Sequence, residues 1–186
     1  MHLPLDLTAQ LPVLTGRLRL VEMDLSHLPA LAAMLADPIV MRHFPRAMSL
    51  AESEQWLRRN TERYRLHGTG LFAVLREDDG SQAFIGDCGL VVRHFGERMH
   101  LELGYHFVRQ AWHQGFASEA ARACVEIGFR HTEAAEVVAL IRPENAPSQA
   151  VARRLGMRPE GALLYSGLVH DVWRMHREAF AGDALQ

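Results

Sequence analysis

The apolar positions of this chain switch between two periods, and the switches mark out its elements. In GRLRLVEM (16–23), Leu18 and Leu20 alternate with Arg17 and Arg19, the two-residue period of a strand. Leu28, Leu31, Ala32 and Leu35 then recur at helical spacing. Ser26 is the expected cap of that helix, which runs to about Asp37 with Pro29 in its first turn, where a missing N–H costs little. Ser49-Leu-Ala-Glu52 reads as a capping box opening a second helix that carries Trp56, Leu57 and Tyr64 and closes near His67-Gly68. LFAVLRE (71–77) predicts a strand, Asp79-Gly80 a hairpin turn, and 82–95 a longer returning strand. After a turn at 96–98, MHLELGYHFV (99–108) alternates cleanly. Leu101, Leu103, Tyr105 and Phe107 share one face; Glu102, Gly104 and His106 share the other.

A helix is expected from about Phe116 to His131, then a buried strand at 136–142. Asn145 caps a short helix with Pro147 in its first turn and Gly156 at its end. Two strands, 157–165 and 169–177, read as a hairpin turning at Ser166-Gly167. The order β-α-α-β-β-β-α-β-α-β-β is that of an α/β fold on a mixed sheet. No repeat or linker interrupts it. One domain is expected over 15–180, with an N-terminal extension (1–14) and a frayed tail (181–186).

Composition narrows the function. With 186 residues, 48% hydrophobic and 23% charged, the balance is that of a soluble globular chain long enough to bury a core. A net charge of −2 argues against a general nucleic-acid partner. Every basic residue is arginine, which reads as a coding bias or, more sharply, as an acyl-transferring protein that avoids modifying itself. Cys88 and Cys124 lie far apart with no CxxC, so reduced, buried thiols in a cytoplasmic protein are expected. The first residues lack a basic, then apolar, leader pattern, and no run approaches the roughly 18 apolar residues of a membrane span. No HExxH occurs, and His94 and His100 flanking a turn read as solvated or structural, so no metal is expected. A monomer or homodimer is expected.

Two stretches carry candidate chemistry. In QAWHQGFASEAA (110–121) a strand hands over to a helix around Gly115. The first N–H groups of a helix lack internal partners, and the macrodipole leaves that end partly positive. With little side chain at Gly115 and Ala117, a phosphate could sit on the backbone there. The other reading is an ordinary turn glycine. No GxGxxG or GxxxxGK[ST] occurs. The second stretch, IRPENAPSQAVARRLGM (141–157), places Asn145 and Ser148 at the start of another helix just past a strand.

Together, YHFVRQAWHQGFASEAA and NAPSQAVARRLGM resemble the GNAT N-acetyltransferases, in the branch that includes the ribosomal-protein N-terminal acetyltransferases. That branch shows GYW, then WGxGxA[TS]EA, then NxxSxxVxxxLGF. The likeness covers about Thr15 to Phe180, with TGRLRL and FIGDCGL fitting it too. It implies the fold of that family and acetyl-CoA as cosubstrate. The pyrophosphate would rest on the backbone N–H groups of Gln114, Gly115, Phe116, Ala117 and Ser118. Trp112 takes the place of the family's Gln or Arg. The pantetheine arm would lie along the strand edge at Phe107 and Val108, with Asn145 and Ser148 facing the thiol end. Arg153 could reach the 3′-phosphate or lie on a solvated helix face.

The implied reaction is direct transfer of acetyl to a primary amine, a protein N-terminus or a small molecule, in a ternary complex. It needs a base, an oxyanion donor and an acid for the leaving thiolate. A backbone N–H near Val108 is the expected donor. Glu102 is the first candidate base and His106 the second. The family's usual tyrosine acid falls on Ala152, so Ser148 is the candidate acid. In the last hairpin, where some relatives carry a glutamate base, LLYSGLVHD has none. Arg42, His43 and Arg46 in MRHFPRAMS could favour an acidic acceptor, or form a solvated loop. The alternative function is a non-catalytic acyl-CoA-binding regulatory module.

Overall fold

The computed structural model describes residues 5–183 apart from Asp79, Gly96 and Glu97. The turns expected at Asp79-Gly80 and 96–98 and the frayed tail fall partly outside the described residues. In chain order the elements are β1 (Val13–Leu14), β2 (Leu18–Val21), α1 (Leu28–Ala36), α2 (Leu50–His67), β3 (Leu71–Arg76), β4 (Phe84–Phe95) and β5 (Arg98–Phe107). There follow α3 (Phe116–His131), β6 (Glu136–Ile141), α4 (Ala146–Arg154), β7 (Arg158–Tyr165), β8 (Leu168–His176) and α5 (Arg177–Asp183). One mixed sheet runs β1-β2-β3-β4-β5-β6-β8-β7, the α/β architecture that the order of elements predicts. Every neighbouring pair is antiparallel except β5 and β6, which a crossover through α3 makes parallel.

The alternation along each strand decides which helix it meets. Leu18, Leu20, Phe72, Val74, Cys88 and Leu90 pack with α3, whose buried stripe runs from Phe116 through Ala120, Cys124 and Ile127 to Phe129. Gly128 lets α3 press onto β4; a Cβ there would stand 2.3 Å from the Leu90 side chain. On the other face, Met23, Leu31, Leu35, Leu57 and Ala73 form a second, smaller core with α1 and α2.

Local signals are read back closely. Ser49 and Glu52 form the capping box of α2, and Gly68 ends that helix with φ 67°. Asn145 caps α4, its Oδ1 accepting the N–H of Ser148 at 3.2 Å. The cap ahead of α1 differs from expectation. Asp24, not Ser26, accepts the orphan N–H, and Ser26 gives it both its N–H (2.9 Å) and its hydroxyl (2.5 Å). A tight 3-10 turn over Leu25–His27 then leads into the helix, with Pro29 in its first turn as expected.

Two short elements carry no periodic signal: β1, with two residues, and α5. The segment before Thr15 is tied to the body. Leu5 and Leu7 are buried, and their N–H groups donate to the carbonyls of His67 (2.6 Å) and Gly68 (3.1 Å).

β5 and β6 share only two register pairs, Leu101↔Val137 and Glu102↔Val138. Beyond Glu102 the two strands part, and the sheet opens into a wedge.

Candidate active site

The wedge is a cleft of about 720 Å³. Its floor is the end of β5, at Tyr105, His106 and Phe107. One wall is the start of α3 from Gly115 to Ser118; another is the start of α4 at Asn145 and Ser148; Ile39, Val40, Arg42, His43 and Phe44 form the roof.

The α3 wall presents backbone donors to the cleft. Gly115 takes φ 84°, the left-handed region that glycine enters without strain. Unlike α2 and α4, α3 has no side-chain cap, so its first N–H groups lack side-chain acceptors at the cleft. The Ser118 hydroxyl is buried there without a partner. A buried donor left unpaired costs about 1–3 kcal/mol, which a bound acceptor offsets. Arg17 holds the loop from behind. It donates through Nη1 to the Gln114 carbonyl (3.0 Å), pairs with Glu119 (2.7 Å) and lies 4.4 Å above the Phe116 ring. Thr15 adds a 2.6 Å bond to Glu119. Burial pushes the Glu119 carboxyl up, but the bonds from Thr15 and Arg17 outweigh it and leave the pKa lowered.

The β5 floor offers backbone. The N–H of Val108 is spent on the Ile85 carbonyl at 3.0 Å. It is therefore engaged in the sheet, and by the alternation of an antiparallel ladder it is the Phe107 backbone that faces the open edge. There the Phe107 carbonyl accepts the Trp112 indole N–H at 2.8 Å. Trp112 thus fixes the loop between strand and helix, and Arg42 lies 5.7 Å from its ring.

Of the sequence candidates, the cleft gathers His106, Phe107, Gly115, Phe116, Ala117, Ser118, Asn145 and Ser148 along its walls. Gln114 is exposed at the loop and Val108 is half-buried at the strand end. Glu102 stands apart, at the closed apex of the wedge, ion-paired with Arg93. Arg153 lies over Trp173 and bonds Gln149, while its neighbour Arg154 reaches the cleft. Arg46 pairs with Glu52.

His106 has a partner that sequence reasoning missed. Asp87 on β4 is fully buried, and its Oδ1 lies 2.8 Å from His106 Nδ1. The same oxygen accepts the His106 backbone N–H at 3.2 Å. Phe44 and Trp56 pack against the imidazole, with ring centroids 5.0 and 6.3 Å away. Burial alone would lower the His106 pKa; the Asp87 charge and hydrogen bond outweigh it, and the pKa is raised above 6.5. The register could have shown this pair. Phe95 pairs with Arg98, and counting back along both strands sets Asp87 opposite His106.

Tyr105 is the second residue missed. Its hydroxyl lies 3.3 Å from the Ser148 carbonyl, bridging β5 to α4 across the cleft, and burial holds its pKa well up. Among the described residues, no group of three His, Cys, Asp or Glu side chains gathers as a metal site.

A mixed sheet that splays at a parallel strand pair, with an uncapped helix start facing the gap, is the frame of an acyl-group transferase. The family model for the acetyltransferase (GNAT) domain matches residues 17–158, and the chain belongs to that family. YkkB of Bacillus subtilis is 32% identical over 152 residues, 81% of this chain and 87% of its own length. A GNAT-family acetyltransferase from Bacillus anthracis superposes with a TM-score of 0.75 at 22% identity, over 89% of this chain and 98% of its own. RimL, a ribosomal L7/L12 alpha-N-protein acetyltransferase solved with coenzyme A, superposes with a TM-score of 0.72 at 21% identity, covering 90% and 98%. The chain is an acetyl-CoA-dependent acetyltransferase that acts by direct transfer to an amine.

Proposed function

We infer that His106 is the general base of this acetyl transfer, with Asp87 orienting it. The observation that carries this reading is the buried Asp87–His106 pair at the cleft floor. With Nδ1–H directed at Asp87, the Nε2 lone pair is the free acceptor for an amine proton. Glu102, in contrast, is held in an ion pair and does not line the cleft.

The rest of the cleft supports matching roles. The N–H groups of Gln114 to Ser118 would hold the pyrophosphate, and the unpartnered Ser118 hydroxyl fits the same anion. The open edge of β5 at Phe107 would take a pantetheine amide, leading the thioester toward Asn145 and Ser148, while the Val108 backbone is held by Ile85 and Ala111. The amine nitrogen attacks the thioester carbon and gives its proton to His106 Nε2. The carbon–sulfur bond then breaks, and the leaving thiolate gains a proton from the Ser148 or Tyr105 hydroxyl. Tyr105 thus offers from β5 the phenol that Ala152 does not offer from α4. A cytoplasmic setting fits the two free, buried thiols of Cys88 and Cys124.

The test sets peptide N-termini and small amines side by side with acetyl-CoA, reading product mass and the pH dependence of kcat/KM. The reading expects a gain of one acetyl group per product and a rate that rises through a pKa above 6.5. An acid limb unmoved by Asp87→Asn would remove His106 as the base; binding without turnover of any amine would favour a regulatory module.

A further inference from the structure

The charged side chains that line the cleft, among the described residues, are all basic. Arg42 and His43 lie on the roof, His106 on the floor, His113 just ahead of α3 and Arg154 on α4. No carboxylate joins them. Asp87 is fully buried beneath His106, Glu119 pairs with Arg17, and Glu144 pairs with Arg142. The cations divide between the two ligands that the reaction brings together. His113 and Arg154 stand on the α3 and α4 side, where the phosphates of the cosubstrate would lie. Arg42 and His43 stand on the roof beside Phe44, whose ring lies 5.0 Å from that of the proposed base.

Arg42 is held in a fixed pose. Its Nε donates to His43 Nε2 at 3.0 Å, and its guanidinium lies 5.7 Å from the centre of the Trp112 ring. Trp112 is itself tied through its indole N–H to the Phe107 carbonyl, one residue from His106. Burial first, then the Arg42 charge, lower the His43 pKa, with Glu144 opposing the shift and Arg142 adding to it. A neutral His43 ring keeps its acceptor for Arg42. Arg42 makes no ion pair with a described residue, and its two Nη groups have no acceptor among the described residues. A guanidinium bonded at Nε and laid over an aromatic ring presents a planar pair of Nη donors, the shape that a carboxylate matches.

We propose that the acceptor is a small primary amine that carries a carboxylate, the amine at His106 and the carboxylate at Arg42. This rests on His106 marking the reacting end of the cleft. The dimensions suit a small molecule. The cleft measures about 720 Å³, within the range that holds one small ligand, and the acyl arm of the cosubstrate must share it. Ile39 and Phe44 on the roof are each 43% exposed, an apolar surface that the carbon chain of the acceptor would cover. The same lining disfavours an acceptor with a second positive charge, since no carboxylate is there to meet it.

The experiment supplies acetyl-CoA with ω-amino acids of increasing chain length, each beside its carboxamide and the diamine of equal length. At the length that spans His106 and Arg42, kcat/KM for the acid is expected to exceed that of its amide by roughly tenfold. The diamine trails both, and the preference shrinks as salt rises. In Arg42→Gln the ratio of acid to amide collapses toward one, chiefly through KM, while CoA affinity holds; Arg42→Lys keeps part of the ratio. Binding of acid and amide to the CoA-loaded chain, followed by calorimetry, reads the preference without turnover. A failure of the base assignment is then distinct: His106→Gln keeps its rate and the binding preference stands. Equal kcat/KM and equal binding for acid and amide at every length would overturn the proposal. So would an Arg42→Gln variant that loses CoA affinity and keeps the ratio, which assigns Arg42 to the phosphates, or acetylation of peptide N-termini with no small amine turned over.

Discussion

The two sides of the cleft are built on different principles. The α3 side is local except for the distant clamp of Arg17. Gly115, the uncapped helix start and Ser118 lie within four residues, and Arg17 and Glu119 pin the loop at 2.7 Å. The α2 side is assembled from distant pieces. His106, Asp87 and Trp56 come from three elements and meet only through sheet register and helix packing. The contrast matches what each side would meet. A phosphate group common to every turnover would be held by backbone, which tolerates many side chains. An acceptor amine has to be deprotonated and chosen, which takes specific side chains.

Breaking each side should therefore give distinct failures. The largest effect is expected from His106→Gln: kcat falls by about a thousandfold, within the usual range for a lost general base, while CoA affinity measured by calorimetry holds. The corresponding loss in Glu102→Gln should be much smaller. Gly115→Glu is expected to weaken CoA binding roughly a hundredfold, because it brings a carboxylate to the phosphate position and strains a left-handed residue. Gly115→Asn, which tolerates that conformation, should lose far less; equal losses would point to backbone strain instead of charge.

Asp87→Asn should sharpen the comparison through pH. Asp87 raises the His106 pKa, so the wild-type rate climbs only as pH passes a value above 6.5 and the imidazole becomes neutral. Without that charge the acid limb of the kcat/KM profile shifts to lower pH, and kcat falls about tenfold to a hundredfold as the ring loses its orientation. Tyr105→Phe and Ser148→Ala test the acid. Roughly tenfold in kcat is expected from whichever hydroxyl protonates the thiolate, with an acetyl donor of better leaving group restoring the rate.

The smallest effect is expected from Arg17→Ala. Its side chain is 38% exposed, so the ion pair with Glu119 is screened and contributes about 0.5–1 kcal/mol, measurable by urea unfolding. The Glu119 pKa is lowered in the folded chain, so this contribution is present above the ordinary carboxylate pKa and is lost as pH falls through the folded value. Wild type and variant should converge in stability in acid. CoA affinity should drop a few-fold as the loop loosens.

The candidate site was legible wherever its parts sit within a helical turn or two. Gly115 to Ser118 and Asn145 to Ser148 could be read as helix starts, and the two motifs that hold them together resemble the family. The proposed base was less accessible. On alternation alone Glu102 and His106 are equivalent, since both lie on one face of β5. What separates them is the divergence of β5 from β6 after Glu102, the Arg93 pair that holds Glu102, and Asp87 beneath His106.

By itself, the sequence determined every strand and helix except β1 and α5 through apolar periodicity, the helix ends of α2 and α4 through their caps, and the loop ahead of α3 through Gly115. Each of these is set by interactions between residues a few positions apart. Only the tertiary structure decided where the sheet splays, which titratable side chain meets the cleft, and that Arg93 pairs with Glu102. Those outcomes depend on strand register and on how α2 packs across the sheet, where pairs such as Asp87 and His106, 19 residues apart, are brought together by the fold as a whole.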